Sequence, residues 1–156
     1  MLTIKKGNIF DSKMDVLTIP VNCVGVMGKG LALEFKNRYP VIFDAYKEDC
    51  LYDFHIGQVN YYERNFRNVN YTHDFLLFPT KKHWRESSKM EYIEKGLLSF
   101  TCHLSEWNIK SIAFPALGCG LGGLNWFDVV TLMVKKLVLL PIDMEIYEPN
   151  ILPNNK

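Results

Sequence analysis

Two short β-rich runs open the chain, at 2–5 and 16–21, separated by the turn-forming Gly7, Asn8 and Asp11. The period then changes. Leu31, Phe35 and Tyr39 recur every fourth residue, the spacing of one helical face, and Pro40 both ends that helix and is placed to open a second through Ile42 and Tyr46. Aromatic and β-branched runs at 57–63 and 72–78 flank the polar 64–70 and predict two strands joined by a loop. Ser88 followed by Glu91 has the form of a capping box, after which Ile93, Leu97, Phe100, Leu104 and Trp107 share one helical face. A short, mostly apolar strand is predicted at 111–115. Asn125 can cap a helix carrying Trp126, Val129, Val130, Met133 and Leu137, and a last strand at 144–147 follows Pro141.

The order is therefore ββααββαβαβ. Because strands alternate with helices and the apolar strands need cover on both faces, the pattern predicts a three-layer α/β/α sandwich around a mixed, mostly parallel central sheet. No repeat, low-complexity run or linker divides the 156 residues, so one domain over 1–156 is expected. A composition of 48% hydrophobic and 22% charged residues is that of a globular domain and excludes a disordered, collagen-like or coiled-coil chain. The formal net charge is only +1, so any contact with nucleic acid must be local.

The longest charge-free stretch, 111–127, is broken by Pro115, four glycines and Asn125 and falls short of the roughly 18 apolar residues of a membrane span. The opening MLTIKKGNIF lacks the apolar core of a signal peptide, and a cytoplasmic location is expected. Cys23, Cys50, Cys102 and Cys119 form no C-x-x-C pair and have no histidine at zinc-finger spacing, so no structural metal is expected. Cys23 and Cys119 lie in glycine-containing loops, where a small side chain rather than thiol chemistry is the requirement.

Those loops concentrate the glycines. Gly25, Gly28 and Gly30 fall in VNCVGVMGKG before the first helix, and Gly118, Gly120, Gly122 and Gly123 fall in ALGCGLGGLN before the last. Glycine permits close backbone approach and a helix N-terminus presents free N–H groups, so each junction favours an anionic group; two at the carboxyl edge of one sheet suit a diphosphate. Tight turns without a ligand would show the same glycines. A Walker A loop fails on spacing, since Gly28 and Lys29 are preceded by Cys23 where its first glycine belongs. Gly118, Gly120 and Gly123 satisfy G-x-G-x-x-G, but too near the end of the chain for the first turn of a Rossmann domain.

FPTKKHWRESSK, at 78–89, leaves a predicted strand and precedes a predicted helix. From 81 onward it carries Lys81, Lys82, Arg85 and Lys89 against the single acid Glu86, with His83 and Trp84 among them. A solvated loop is the plainer reading. In this architecture, however, the loop borders the same crevice as the glycine loops, where cations and an indole could hold phosphates and stack a base of a single strand. A lysine there could also act as a nucleophile, provided neighbouring cations and desolvation lower its pKa. A lowering by about three corresponds to roughly 4 kcal/mol.

Four motifs in this order, GNIF at 7–10, VNCVGVMGKGLALEFK at 21–36, FPTKKHW at 78–84 and GCGLGGLNW at 118–126, resemble the macrodomains of the DarG type, DNA ADP-ribosyl glycohydrolases that are antitoxins to the DNA ADP-ribosyltransferase DarT. The resemblance covers nearly the whole chain. It implies the macrodomain fold, ADP-ribose binding, and removal of mono-ADP-ribose from thymine bases of DNA without a cofactor or metal. By position, Lys81 matches the catalytic lysine of the FPTK motif, and Asn22 matches the asparagine that orients the distal ribose. Asn8 and Ile9 match positions near adenine. Gly25, Val26, Met27 and Gly28, with Gly118, Cys119, Gly120, Leu121 and Gly122, match the loops around the diphosphate and distal ribose. Lys82, His83, Trp84 and Arg85 are candidates for the DNA strand. The partners so implied are ADP-ribose, ADP-ribosylated single-stranded DNA and a DarT-type toxin, for a monomeric protein.

The departures are informative. Asn8 stands where many macrodomains have aspartate, VMGKGLALEF replaces the longer first loop of another hydrolase class, and Gly122 stands where a branch acting on protein carboxylates has aspartate. DarG proteins usually carry a C-terminal toxin-binding domain, and the sequence ends at Lys156 shortly after the last predicted strand, as expected of a piece of a longer protein or a free-standing domain. A non-catalytic ADP-ribose reader, or a hydrolase of ADP-ribose 1″-phosphate or protein-linked ADP-ribose, would share the glycine loops.

Overall fold

Residues of the inner strands of the central sheet alternate between two cores. In this computed structural model, which describes residues 1–150, the strands are β1 (Leu2–Lys5), β2 (Val16–Asn22), β3 (Asn60–Tyr62), β4 (Asp74–Lys81), β5 (Ser111–Phe114) and β6 (Asp143–Tyr147). The expected domain over 1–156 includes 151–156, which lie outside the described residues. The helices are α1 (Gly30–Arg38), α2 (Pro40–Tyr52), α3 (Met90–His103) and α4 (Trp126–Leu137). Leu17, Ile19, Val21, Phe75, Leu77, Ala113 and Tyr147 face a core completed by Phe35, Ile42 and Tyr46 of α1 and α2. Their strand neighbours Val16, Leu76, Phe78, Ile112, Phe114 and Ile146 face the opposite core, closed by Ile93, Leu97 and Phe100 of α3 and Val129 and Met133 of α4. The three layers are those expected, since a strand apolar on both faces is stable only with helices over each.

The strand order is β1-β6-β5-β2-β4-β3, parallel throughout except for the antiparallel edge pair of β3 with β4. The sheet is mixed and mostly parallel, and the carboxyl ends of β2, β4 and β5 meet along one edge.

Four differences separate the structure from the sequence expectations. Strand β4 does not stop at Phe78 but continues through Pro79 to Lys81. Pro79 cannot donate to a ladder, and the structure accommodates it at an irregularity: the register steps from Val21 opposite Pro79 to Asn22 opposite Lys81. The capping box is not formed. Helix α3 begins at Met90 with Lys89 as an N-cap that makes no side-chain bond, and the Ser88 hydroxyl is buried elsewhere. That helix ends at His103, so Trp107 joins the core from the following turn and stacks on His103 and Tyr61. Short 3₁₀ turns at Ile9–Asp11, Phe66–Asn68 and Gly120–Gly122 were not foreseen.

Helix α3 lies against β4 through a glycine. A Cβ on Gly96 would stand 2.2 Å from Cζ of Phe78, a ring with no exposed surface. The absence of a side chain at that position lets the helix backbone rest on the ring, and this close approach sets the distance of α3 from the end of β4.

Candidate functional site

Asn22 and Lys81 are the last residues of β2 and β4 and are register partners on adjacent parallel strands. The pairing continues one step further, the Cys23 N–H donating to the Lys82 carbonyl at 3.2 Å. Three loops leave this edge, at 23–29, 82–89 and 115–125. The second and third are tied together: Lys81 Nζ donates to the Leu121 carbonyl at 3.1 Å, and the Ser88 N–H donates to the Gly122 carbonyl at 2.9 Å. The two residues matched to catalysis are thus brought together.

The Asn22 amide is largely engaged by its own loop. Its Nδ2 donates to the Val26 carbonyl at 2.7 Å, while Oδ1 accepts from the N–H groups of Val24 and Val26 and from the Tyr46 hydroxyl at 2.7 Å. Burial pushes the Tyr46 hydroxyl pKa well up, keeping it a neutral donor. Asn22 is therefore the internal brace of the first glycine loop. Its position suits a ribose contact only through the remaining Nδ2 hydrogen, so the turn role that the residue type also allows is the one these bonds display.

The first loop leads into α1, whose N-cap Lys29 supplies no side-chain acceptor. Among the described residues the N–H groups of Gly28, Gly30 and Leu31 find no protein acceptor, nor do those of Gly120 and Leu121 on the opposite loop. Free peptide donors on loops that leave adjacent strands suit an anion. At the start of helix α4 the Asn125 side chain takes the Asp128 N–H. Glycine is required by conformation in the third loop: Gly118 has φ 72°, and a Cβ there would lie 2.6 Å from Cδ1 of Leu124.

The remaining matched residues divide by what they can offer. Asn8 and Ile9 follow β1 at the same edge, two parallel strands beyond β5; Asn8 is exposed and its Oδ1 accepts from the Phe10 N–H, while Ile9 is buried. The loop bearing them is anchored by Ser12, which donates to Glu145 at 2.5 Å beside a 2.8 Å Lys5–Glu145 ion pair. Met27 is buried in the core and offers a ligand only its backbone. Val26 and Leu121 are exposed apolar side chains, as are Val24 and Trp84 on the same three loops. Such apolar groups collected around a crevice mark a surface made for contact. Burial pushes the thiols of Cys23 and Cys119 up to about 11, which leaves them unreactive and agrees with small residues chosen for space.

Between these loops the basic segment is ordered. The rings of His83 and Trp84 stack at 5.3 Å, Arg85 lies 4.5 Å from the Trp84 ring centre, and the Arg85 N–H donates to His83 Nδ1. Nearly half of Trp84 remains exposed, enough for a further planar group.

Two features were missed from the sequence. Ser88, assigned to capping, is 5% exposed, and its hydroxyl has no partner among the described residues. It lies against Gly122: a Cβ on that glycine would be 2.5 Å from Ser88 Oγ and 3.9 Å from Lys81 Cε. Nothing in the local sequence distinguishes such a serine from a cap. The second feature is a cleft beside Lys82 that includes His55 and Lys95, residues far apart in the chain and unmarked by any motif.

The chain is similar to known proteins over most of its length. The macro domain family profile matches residues 19–133. The DNA ADP-ribosyl glycohydrolases of Mycobacterium tuberculosis and Thermus aquaticus are 41% and 40% identical over 96% of this chain. The chain spans less than half the length of either, 43% and 41%. The solved macrodomain of Mycobacterium tuberculosis DarG superposes with a TM-score of 0.88 at 42% identity, covering 96% of this chain and 98% of that one. Thermosipho africanus DarTG in complex with ADP-ribose gives 0.88 at 41% identity, over 95% of this chain and 41% of that one.

Proposed function

The chain belongs to the macro domain family, and from that premise we propose that it binds ADP-ribose and removes it from thymine bases of DNA, with Lys81 as the catalytic amine. The observation that carries this reading is the register pairing of Asn22 with Lys81 at the edge where the two glycine loops open. The relatives' names supply the substrate: they are DNA ADP-ribosyl glycohydrolases, and one related structure holds ADP-ribose.

In the proposed arrangement the free N–H groups of the two loops take the diphosphate, and Asn8 with Ile9 lies toward the adenine. The distal ribose then reaches Lys81. The Nζ lone pair attacks the anomeric carbon; a carbon–nitrogen bond forms while the bond to thymine breaks, its electron pair going to the base nitrogen. The proton lost from Nζ neutralises the departing base. Water then adds to the lysyl or Schiff-base adduct and displaces the lysine, releasing ADP-ribose, so that one water is consumed for each bond broken. Lys82, His83, Trp84 and Arg85 hold the DNA strand. A cytoplasmic monomer acting opposite a DarT-type toxin belongs to the same proposal; a fusion of the two activities is named among the relatives.

The test is release of ADP-ribose from a single-stranded oligonucleotide ADP-ribosylated on thymine, by wild type, Lys81→Ala and Asn22→Ala. Wild type should release it, Lys81→Ala should lose release while keeping ADP-ribose affinity, and Asn22→Ala should lose affinity as well, because the brace of the first loop is gone. Unchanged release by Lys81→Ala would refute the lysine mechanism. Binding without release would leave a reader, and release only from ADP-ribosylated protein or ADP-ribose 1″-phosphate would move the substrate.

A further inference from the structure

The Asn22–Lys81 pair has two sides. Lys81, the last residue of β4, turns its Nζ toward Leu121, whereas Lys82, the first residue beyond the strand, lines a separate cleft of about 340 Å³. This cleft lies between Cys23 just after β2, Glu91, Tyr92 and Lys95 on the first turns of α3, and His55 after α2. Its size falls within the roughly 300–1,000 Å³ of small-ligand sites.

We propose that this cleft holds the DNA strand on the leaving side of the scissile bond, taking the nucleotide next to the modified thymine with its phosphate between Lys82 and Lys95. The inference rests on the function proposed above. A glycosidic bond held at Lys81 joins two bodies; one runs over the glycine loops as ADP-ribose, so the other must leave in a different direction. The cleft opens at the next residue, Lys82, and none of its lining belongs to the glycine loop at 118–122. Its charge suits a phosphodiester. Lys82 and Lys89 lie 5.8 and 5.7 Å from the Tyr92 ring centre. Among the described residues neither they nor Lys95 form an ion pair, not even with Glu91 on the same wall. The His83–Trp84–Arg85 stack follows Lys82 directly, so phosphate-binding cations adjoin a planar platform, the combination that single-stranded nucleic acid requires and an acidic peptide does not.

The experiment measures anisotropy of a labelled, unmodified single-stranded oligonucleotide with wild type, Lys95→Ala and Lys135→Ala, the last removing the same charge from α4. Lys95→Ala should weaken binding by roughly threefold to tenfold at low salt and lower the slope of log affinity against log salt by about 0.7. Lys135→Ala should bind as wild type. In turnover, Lys95→Ala should raise KM several-fold for the ADP-ribosylated oligonucleotide, and by less for ADP-ribosylated thymidine, which has no neighbouring phosphate. The inference is overturned by equal binding of the Lys95 and Lys135 variants, by equal losses on the two substrates, or by an acidic peptide that competes as well as the oligonucleotide. If wild type releases ADP-ribose from neither substrate yet binds the oligonucleotide through Lys95, the glycohydrolase reading fails while the single-strand site stands.

Discussion

Replacing Gly96 by alanine tests how α3 is seated on the strand that ends in Lys81. On an exposed helix the change would stabilise by about 1 kcal/mol, because glycine is the poorer helix former. Here the added Cβ would stand 2.2, 2.5 and 2.9 Å from Cζ, Cε1 and Cε2 of Phe78. Carbon atoms are at ease at about 3.5–4.0 Å, so the ring tip must retreat by roughly 1.3 Å. Phe78 has no exposed surface, and the retreat must be made by α3 or β4 themselves. Overpacking of this kind costs about 1–3 kcal/mol, and a contact this close belongs at the upper end of that range. The helix gain is outweighed, leaving a net loss of about 1–2 kcal/mol, or roughly 2–8 °C in Tm for a chain of this length. Urea unfolding followed by tryptophan fluorescence should show a lower midpoint at unchanged slope. Release of ADP-ribose should fall as well, since the displaced strand carries Lys81. The clash is relieved by Phe78→Leu, so the double variant should be more stable than the two single losses add up to. A raised midpoint for Gly96→Ala would refute the reasoning, showing a helix that is not seated on the ring.

Other expectations follow from particular groups. Ser88→Ala removes a buried hydroxyl without a partner, so stability should hold or rise by up to about 1 kcal/mol while calorimetry shows weaker ADP-ribose binding; unchanged affinity would show that the hydroxyl has no part in the site. Burial works against the Glu145 carboxylate, but hydrogen bonds from Lys5 and Ser12, the charge of Lys5 and the Tyr147 hydroxyl outweigh it and hold the pKa below 4.5. A lowered folded value means stability that is fully present above the ordinary carboxylate range and is lost as pH falls through the folded pKa. The unfolding midpoint should therefore drop in acid, and Glu145→Gln should flatten that drop; an equally steep fall in the variant would place the acid sensitivity elsewhere, Asp74 being the next carboxylate held low. With thiols pushed up to about 11, Cys23, Cys50 and Cys119 should alkylate slowly at pH 7.5, with the exposed Cys102 reacting first, as mass spectrometry of partly modified protein would show.

Much of the fold was legible because periodicity is a local property. The four-residue recurrence through Leu31, Phe35 and Tyr39 and the run from Ile93 to Phe100 mark helices whatever they pack against, and each has its helix in the structure. The errors fall where a local signal had a competing use. The aromatic run marks a strand only as far as Phe78, yet β4 continues through Pro79 to Lys81, where the neighbouring strand steps in register. Ser88 and Glu91 have the spacing of a cap, yet burial against Gly122 takes the serine away from the helix.

The sequence by itself determined the order of elements, the need for helices on both faces of the sheet, and the glycines and lysines that mark the site, since these depend on side-chain type and short spacing. Only the tertiary structure decided what those residues do to one another. Parallel pairing set Asn22 beside Lys81, bonding within the first loop turned Asn22 into a brace, and the ring of Phe78 gave Gly96 its purpose. The cleft of His55, Lys82 and Lys95 arises from three separate segments. Contacts between residues distant in the chain are created by packing, and no periodicity along the chain encodes them.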